Sequence, residues 1–330
     1  MSIIGKKVTV IGGGTGTYTV LTGLKSYPIE LSVIVSMMDS GGSNRVIRDE
    51  FGLLPTSDLR QCIVALSEEK PKDILRKLFT YRYNSGIGIS GMTFGNLFMA
   101  ALTDIYGSQK KAIEKTCEFL DVKGEVIPVT FDNTHLVALY ENGKQVLGEH
   151  LIDEPSENIA KLKIVKIDVF PKAKANPRAI QSIKQADLIV LGPGDLFTSI
   201  LPNLVIDNVA DTIKRSKAKI VFVMNLMTRW GQTNNFSARQ FLEEVEEYLG
   251  RSVDFIILNN GKIPKVALNW YKKVKSIPVK DDLDKRVKSK ILRGNFVSKR
   301  IYKKVSGDVL TRSLVRHDPE KIAKAIVSII

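Results

Sequence analysis

Only two cysteines, Cys62 and Cys117, and three histidines, His135, His150 and His317, occur in 330 residues. Both cysteines stand inside apolar patterns of helical spacing, so two buried thiols and no disulfide framework are expected. No Cys/His zinc constellation can be assembled from so few side chains. Apolar runs long enough to cross a bilayer are missing, as is a basic N-terminus leading into an apolar stretch. Neither a membrane span nor a signal peptide is therefore expected, and the cytoplasm is the expected compartment. Aromatics make up 7% of the chain, and they are not interleaved with the basic run from Lys272 to Lys304 as stacking platforms for single-stranded nucleic acid would be. Acidic side chains are outnumbered, 35 against 49 Lys and Arg. That surplus suits anionic partners. Without stacking residues it reads as a solvated lysine-rich face that helps draw in anionic ligands, not as a nucleic-acid groove.

What the chain does have is alternation. "KKVTVIGGG" reads as a short buried strand ending in glycine, "TYTVLTGLKSYP" has helical spacing, and "IELSVIVSMMD" is a second buried strand, together a β-α-β unit. Helical patterns follow at Ser57 to Ser67, Pro71 to Tyr83, Gly95 to Tyr106 and Gln109 to Leu120. A stretch of period two comes next, "GEVIPVTFDNTHLVALYENGKQVLGEHLI", with Glu141 to Lys144 as a hairpin turn. Strands then resume at "ADLIVLGPG", "AKIVFVMN" and "VDFIILN", separated by helices at about Asn203 to Ser216 and Ser237 to Leu249. A closing helix is expected after Asp318 as cap and Pro319 at the first helical position. No repeat or linker divides the chain. The fold expected is α/β: a single doubly wound, Rossmann-like domain over 1–330 with a mostly parallel sheet and a small antiparallel β insertion at about 122–170. The apolar closing helix suits either core or interface, and a homo-oligomer is the expectation.

Doubly wound sheets bind ligands at the carboxyl ends of their strands. Four exits here are polar or glycine-rich: Gly12-Gly13-Gly14-Thr15-Gly16, Asp39-Ser40-Gly41-Gly42-Ser43, Gly192-Pro193-Gly194-Asp195 and Asn225-Leu226-Met227-Thr228. Glycine admits close approach of backbone to ligand, and N–H groups at a helix start hold phosphate oxygens. The first loop is not a dinucleotide fingerprint, because Thr17 stands where G-x-G-x-x-G needs its third glycine. Asp39 lies at the spacing of a ribose-binding acid but leads into a second glycine pair instead of an ordinary helix. A tight strand-to-helix turn with no ligand would also use such glycines.

Five segments, "VIGGGTG", "DSGGSNRVIRDEFGLLPTSDLRQCIVALS", "SGMTFGNLFMAAL", "LGPGDLFTSILPNLV" and "NLMTRWGQT", resemble in order and spacing the family of the gluconeogenesis-factor (YvcK-like) proteins and the 2-phospho-L-lactate transferases (CofD-like). "GPGDLFTSILPN" and the closing "LVRHDPEKIAKAI" are closer to the first branch. The resemblance implies a nucleotide diphosphate ligand at the strand ends. In one branch that ligand is a UDP-sugar such as UDP-N-acetylglucosamine, tied to carbon control and cell shape. In the other it is a GDP-linked donor whose phospholactyl group passes to a deazaflavin precursor with release of GMP.

The resemblance places nucleotide and phosphate contacts at Gly13, Gly14, Thr15, Gly16, Asp39, Gly41, Gly42, Ser43, Asp58, Arg60, Gly95, Asn96, Gly192, Pro193, Gly194, Thr198, Ser199, Pro202 and Asn203, with Asn225 and Thr228 at the next strand exit. It places Tyr271 and Arg316 at the sugar or base. Mg²⁺ is the one candidate metal, at Asp39, and no tightly bound cofactor is expected; Asp39 serves equally to orient a sugar hydroxyl. Structural roles stay open beside these. Arg60 can pair with Asp58, Tyr271 can be packing, and Asn96 and Asn203 can be helix caps. The chain also departs from the family pattern. Ser40 stands where a second acid often follows Asp39, Met92 where an imidazole often precedes "GNL", and Gln232 and Asn235 where relatives carry acids. These changes remove metal ligands and acid/base groups while sparing the glycine loops, which favours binding over catalysis.

Overall fold

The computed structural model describes residues 3–68, 73–300 and 313–330. Its strands are β1 (Lys7–Gly12), β2 (Glu30–Val35), β3 (Glu125–Pro128), β4 (His135–Tyr140), β5 (Gln145–Leu147), β6 (Ile164–Phe170), β7 (Leu188–Leu191), β8 (Lys219–Val223), β9 (Phe255–Asn259) and β10 (Lys290–Gly294). The helices are α1 (Gly14–Leu24), α2 (Gly42–Phe51), α3 (Ser57–Leu66), α4 (Asp73–Thr80), α5 (Phe94–Tyr106), α6 (Gln109–Phe119), α7 (Glu149–Asp153), α8 (Glu157–Ala160), α9 (Pro177–Gln185), α10 (Leu201–Leu204), α11 (Val209–Arg215), α12 (Ala238–Leu249), α13 (Lys265–Lys273) and α14 (Pro319–Val327), with a π-helical turn at Leu196–Ile200. Seven strands form one parallel sheet in the order β10-β9-β8-β7-β1-β2-β3. The chain leaves β1 toward β2 and β3 on one side and returns to β7 on the other. The order therefore reverses between β1 and β7, and a crevice opens there at the carboxyl ends.

Alternation along each strand divides the core between two faces. Val8, Val10, Val33, Val35, Val190 and Val221 pack against Leu21 and Leu24 of α1, Ile63 of α3 and Ile322 and Ile326 of α14. Ile11, Ile34, Ile189, Leu191 and Phe222 meet Ile183 of α9, Leu201 of α10, Ile213 of α11 and Phe241 of α12. The closing helix is thus core, capped by Asp318, whose carboxylate accepts the Lys321 N–H. Cys62 is buried and Cys117 half-buried, both as free thiols.

The period-two stretch is divided in a way its pattern did not indicate. Its first strand, β3, joins the parallel sheet beside β2, while β4, β5 and β6 make the separate antiparallel sheet, with the hairpin turn between β4 and β5. The final "GEHLI" enters the helix α7. The helix expected from Asn203 to Ser216 is broken in two, because Asn208 takes a left-handed φ of 69° between α10 and α11. The helix expected from Pro71 begins at Asp73 within the described residues. The strand β10 and helices α9 and α13 were not marked by periodicity.

Candidate functional site

The carboxyl ends of the sheet open onto a cleft of about 930 Å³. Two helices begin there at glycines. α1 starts after Gly13 and α2 after Gly41; neither has a side-chain cap or an acid in its first turn. The first N–H groups of a helix have no intrahelical partner, so both ends favour negative charge, and at α1 the Asp58 carboxylate already lies against Gly13. Close packing accounts for the glycines of the first loop. A Cβ on Gly13 would collide with the carboxylate of Asp58, and one on Gly16 with the carbonyl of Pro193, so the β1 and β7 exits lie backbone to backbone. The second loop is positioned by side chains. Asp39 Oδ1 accepts the Gly41 N–H at 2.9 Å, Glu149 Oε2 accepts the Ser40 N–H at 3.2 Å, and Ser40 Oγ accepts the His150 N–H at 3.0 Å.

Of the residues expected at a ligand, the cleft brings together Gly13, Gly14, Thr15, Gly16, Asp39, Gly41, Gly42, Asp58, Arg60, Pro193, Gly194, Thr198, Ser199, Asn225, Thr228, Tyr271 and Arg316. Gly95, Asn96, Gly192, Pro202 and Asn203 lie behind its walls, and Ser43 is the second residue of α2. Neither Asn96 nor Asn203 is a helix cap. Thr93 caps α5, whereas Asn96 accepts Arg60 Nε at 3.0 Å and donates to Ser57 Oγ at 3.2 Å in a buried polar cluster. Arg60 also donates to the Phe79 carbonyl, so the guanidinium is held on one side and borders the cleft on the other. Gly95 lets it pass, because a Cβ there would meet Arg60 Cδ at 2.5 Å. Asn203 donates to the Ser199 and Ile200 carbonyls, tying down the π-helical turn that carries Thr198 and Ser199. Tyr271 is 5% exposed, and its hydroxyl accepts the Val315 N–H at 3.3 Å, so it is both packed and part of the wall.

Sequence reading missed the carboxylates that the insertion carries into this cleft. Glu149 and Asp153 stand one turn apart on α7, and both line it. Asp153 accepts from Arg229 at 2.9 Å and from Gln232 at 2.9 Å. Gln232 also donates to Thr198 Oγ1 at 3.3 Å, so its amide ties α7 to the π-helical turn. Burial pushes the Asp153 carboxyl up to about 7 despite Arg229. Burial, then the charges of Asp39 and Asp153, hold Glu149 well above the ordinary carboxylate range. Arg229 stays a strong cation because Asp195 and Asp153 outweigh its burial. An i, i+4 Glu/Asp spacing on a five-residue helix is too common a signal to have singled these residues out. Among the described residues no group of three or more His, Cys, Asp or Glu side chains is arranged to hold a metal ion.

The comparisons agree with this architecture. Residues 8–297 match the family model described as 2-phospho-L-lactate transferase CofD. The chain is 32% identical over 327 residues to the gluconeogenesis factor of Bacillus subtilis, covering 98% of each, and 35% identical over 325 residues to that of Listeria innocua, covering 98% of this chain and 95% of the relative. The solved structure of protein BH3568 from Bacillus halodurans superposes with a TM-score of 0.88 at 33% identity, covering 98% of this chain and 99% of the other. The chain therefore belongs to the CofD family, among relatives named gluconeogenesis factor.

Proposed function

We propose, taking membership of the CofD family as the premise, that this chain is a regulatory protein of carbon metabolism and cell shape that binds a nucleotide sugar of the UDP-N-acetylglucosamine type. The observation that carries the reading is the convergence of two uncapped helix starts, at Gly13 and Gly41, on one cleft whose far wall holds Tyr271 and Arg316. The two helix starts suit a pyrophosphate, Arg60 and Arg316 suit its charge, and Tyr271 with Trp270 suits a flat or sugar ring. A cleft of about 930 Å³ accepts a ligand of this size.

Asp39, Asp58, Glu149, Asp153, Glu154, Glu157 and Asp195 also line the cleft, so an incoming diphosphate needs compensation beyond the arginines. The raised carboxyls of Glu149 and Asp153 provide part of it by holding protons. Mg²⁺ fits the remainder, because it is commonly held by one or two carboxylates together with phosphate oxygens, and Asp39 would be its protein ligand. Such an ion supplies charge neutralisation at the phosphates.

Calorimetric titration with UDP-N-acetylglucosamine, GDP, GTP and NAD, with and without Mg²⁺, followed by chromatography of each mixture, tests the proposal. Selective, unreacted binding of the UDP-sugar is expected. A transferase is the second reading, favoured by the description of the family model and by a carboxyl at Asp153 that titrates near neutrality and could exchange a proton. Release of GMP from a GDP-linked donor on addition of a deazaflavin acceptor would replace the first reading with the second.

A further inference from the structure

Two hydrogen-bond acceptors in the wall of the cleft have no protein partner. His317 lines the cleft, is 5% exposed, and makes a hydrogen bond with the backbone of Met224. Nε2 has no partner, so the bond to the Met224 carbonyl is donated by Nδ1–H. An imidazole fixed in that tautomer presents a lone pair at Nε2. Burial holds the ring pKa down to about 4, which keeps it neutral at pH 7. The residue after Met224 is Asn225, whose Nδ2 donates to the Gly194 carbonyl at 2.8 Å and whose Oδ1 is likewise buried without a partner. Asn225 also lines the cleft. Buried acceptors in native proteins are normally satisfied, so two on residues of one cleft wall, linked through the bond from His317 to Met224, point to a donor brought by the ligand. The same wall has aromatic rings: Tyr271 is fixed to Val315, two residues before His317, and stands edge-on to Trp270, with ring centroids 4.9 Å apart.

We infer that His317 is a specificity-determining residue whose Nε2 accepts the lactam N–H of a keto nucleobase, so that the cleft takes uridine or guanosine nucleotides and rejects cytidine and adenosine nucleotides. The chemistry is one of matching edges. Uracil N3 and guanine N1 each carry a hydrogen, whereas cytosine N3 and adenine N1 present a lone pair at the same place, and two lone pairs facing each other across a buried contact repel. The Oδ1 of Asn225 is a second acceptor in this wall. Guanine offers it the exocyclic amine as well, whereas both neighbours of uracil N3–H are carbonyls, so a base that engages both acceptors is guanine and one that engages His317 alone is uracil. This inference rests on the nucleotide reading of the cleft and adds the base edge that is read.

The test is competition calorimetry with UDP, GDP, CDP and ADP, together with N3-methyl-UDP and N1-methyl-GDP, on the wild-type protein and on His317→Phe. The wild type is expected to bind UDP or GDP at least about tenfold tighter than CDP and ADP, the discrimination that a buried hydrogen-bonding partner confers. Methylation of the preferred base should cost the same factor. In His317→Phe the diphosphate is still held, but the four bases and the methylated ligand should fall within about threefold of one another, the coupling expected of a direct contact. On the wild-type protein the methylated ligands report without any variant, so that comparison decides the matter even where His317→Phe fails to fold. Equal binding of all four nucleotides, or indifference to methylation, overturns the base-edge contact and leaves the cleft a nucleotide site. Retention of the preference in a folded His317→Phe overturns the role of His317. Absence of binding by any nucleotide sinks the nucleotide reading and this inference with it.

Discussion

The two glycine-rich loops that meet in the cleft are built by opposite means. The Gly13–Gly16 loop is fixed by close packing, and added methyl groups would strike the Asp58 carboxylate at Gly13 and the Pro193 carbonyl at Gly16. The Asp39–Gly42 loop has room around it. Nothing lies within 4 Å of a Cβ on Gly42, and the loop is placed by the carboxylates of Asp39 and Glu149 and by the Ser40 hydroxyl. Glycine therefore records close packing at Gly13 and Gly16 of the first loop, whose Gly14 is also left-handed at φ 64°, and a left-handed backbone alone, φ 50°, at Gly42 of the second. The first loop is a packed template. The second hangs on α7, whose Asp153 carboxyl is raised to about 7 and whose Glu149 carboxyl burial holds well above the ordinary range.

Breaking the support of α7 should have the largest effect. Arg229→Ala removes the cation that meets Asp153, in a pair whose side chains are 20% and 21% exposed, and leaves the carboxylate in the wall. A loss of about 3 kcal/mol is expected from urea unfolding. A loss under about 1 kcal/mol would show that α7 is anchored by other contacts. Gly16→Ala attacks the other loop and should cost about 2 kcal/mol through overpacking against Pro193, because the obstacle is a backbone carbonyl and cannot rotate away. If Gly16→Ala is neutral, the template description of the first loop fails.

This contrast also explains what could be read from the sequence. Buried β-branched strands, the cap at Asp318 and the exits at Gly12, Asp39, Gly192 and Asn225 are local signals, and they located the sheet and the cleft. The carboxylates of α7 are not local. They reach the cleft only because β4, β5 and β6 fold back over the sheet, and nothing in "GEHLID" states where that sheet will pack. Gln232 shows the same limit: beside an absent acid it read as a lost ligand, whereas the structure uses its amide to join Asp153 to Thr198. β10 was hidden because its strand, KILRG, is bounded by charge and flanked by a lysine-rich run.

A pH series sharpens the comparison further. Asp153 has its pKa raised from 3.8 to about 7, so the folded state holds a proton that the unfolded chain has released. The contribution is fully present below pH 4 and lost as pH climbs through about 7, because stability falls with pH wherever the folded state binds more protons. Asp153→Asn cannot titrate. The stability of the wild type should therefore decline relative to Asp153→Asn between about pH 4 and pH 7, and a constant difference across that window would remove the proton from Asp153.

The mildest change should be Gly42→Ala. Its Cβ meets no atom, so the cost is that of holding an L-residue at a φ of 50°, about 1 kcal/mol. That strain can be relieved by rotating the start of α2, and the rotation turns its free N–H groups away from the position of an anion. Stability should therefore drop less than in Gly16→Ala, while affinity for UDP or inorganic pyrophosphate should drop more, by roughly tenfold for one displaced charge-assisted contact. Equal binding by the two variants would mean that the loops are not distinct in kind, since a loop adjusted by side chains should trade affinity for strain where a packed loop trades stability.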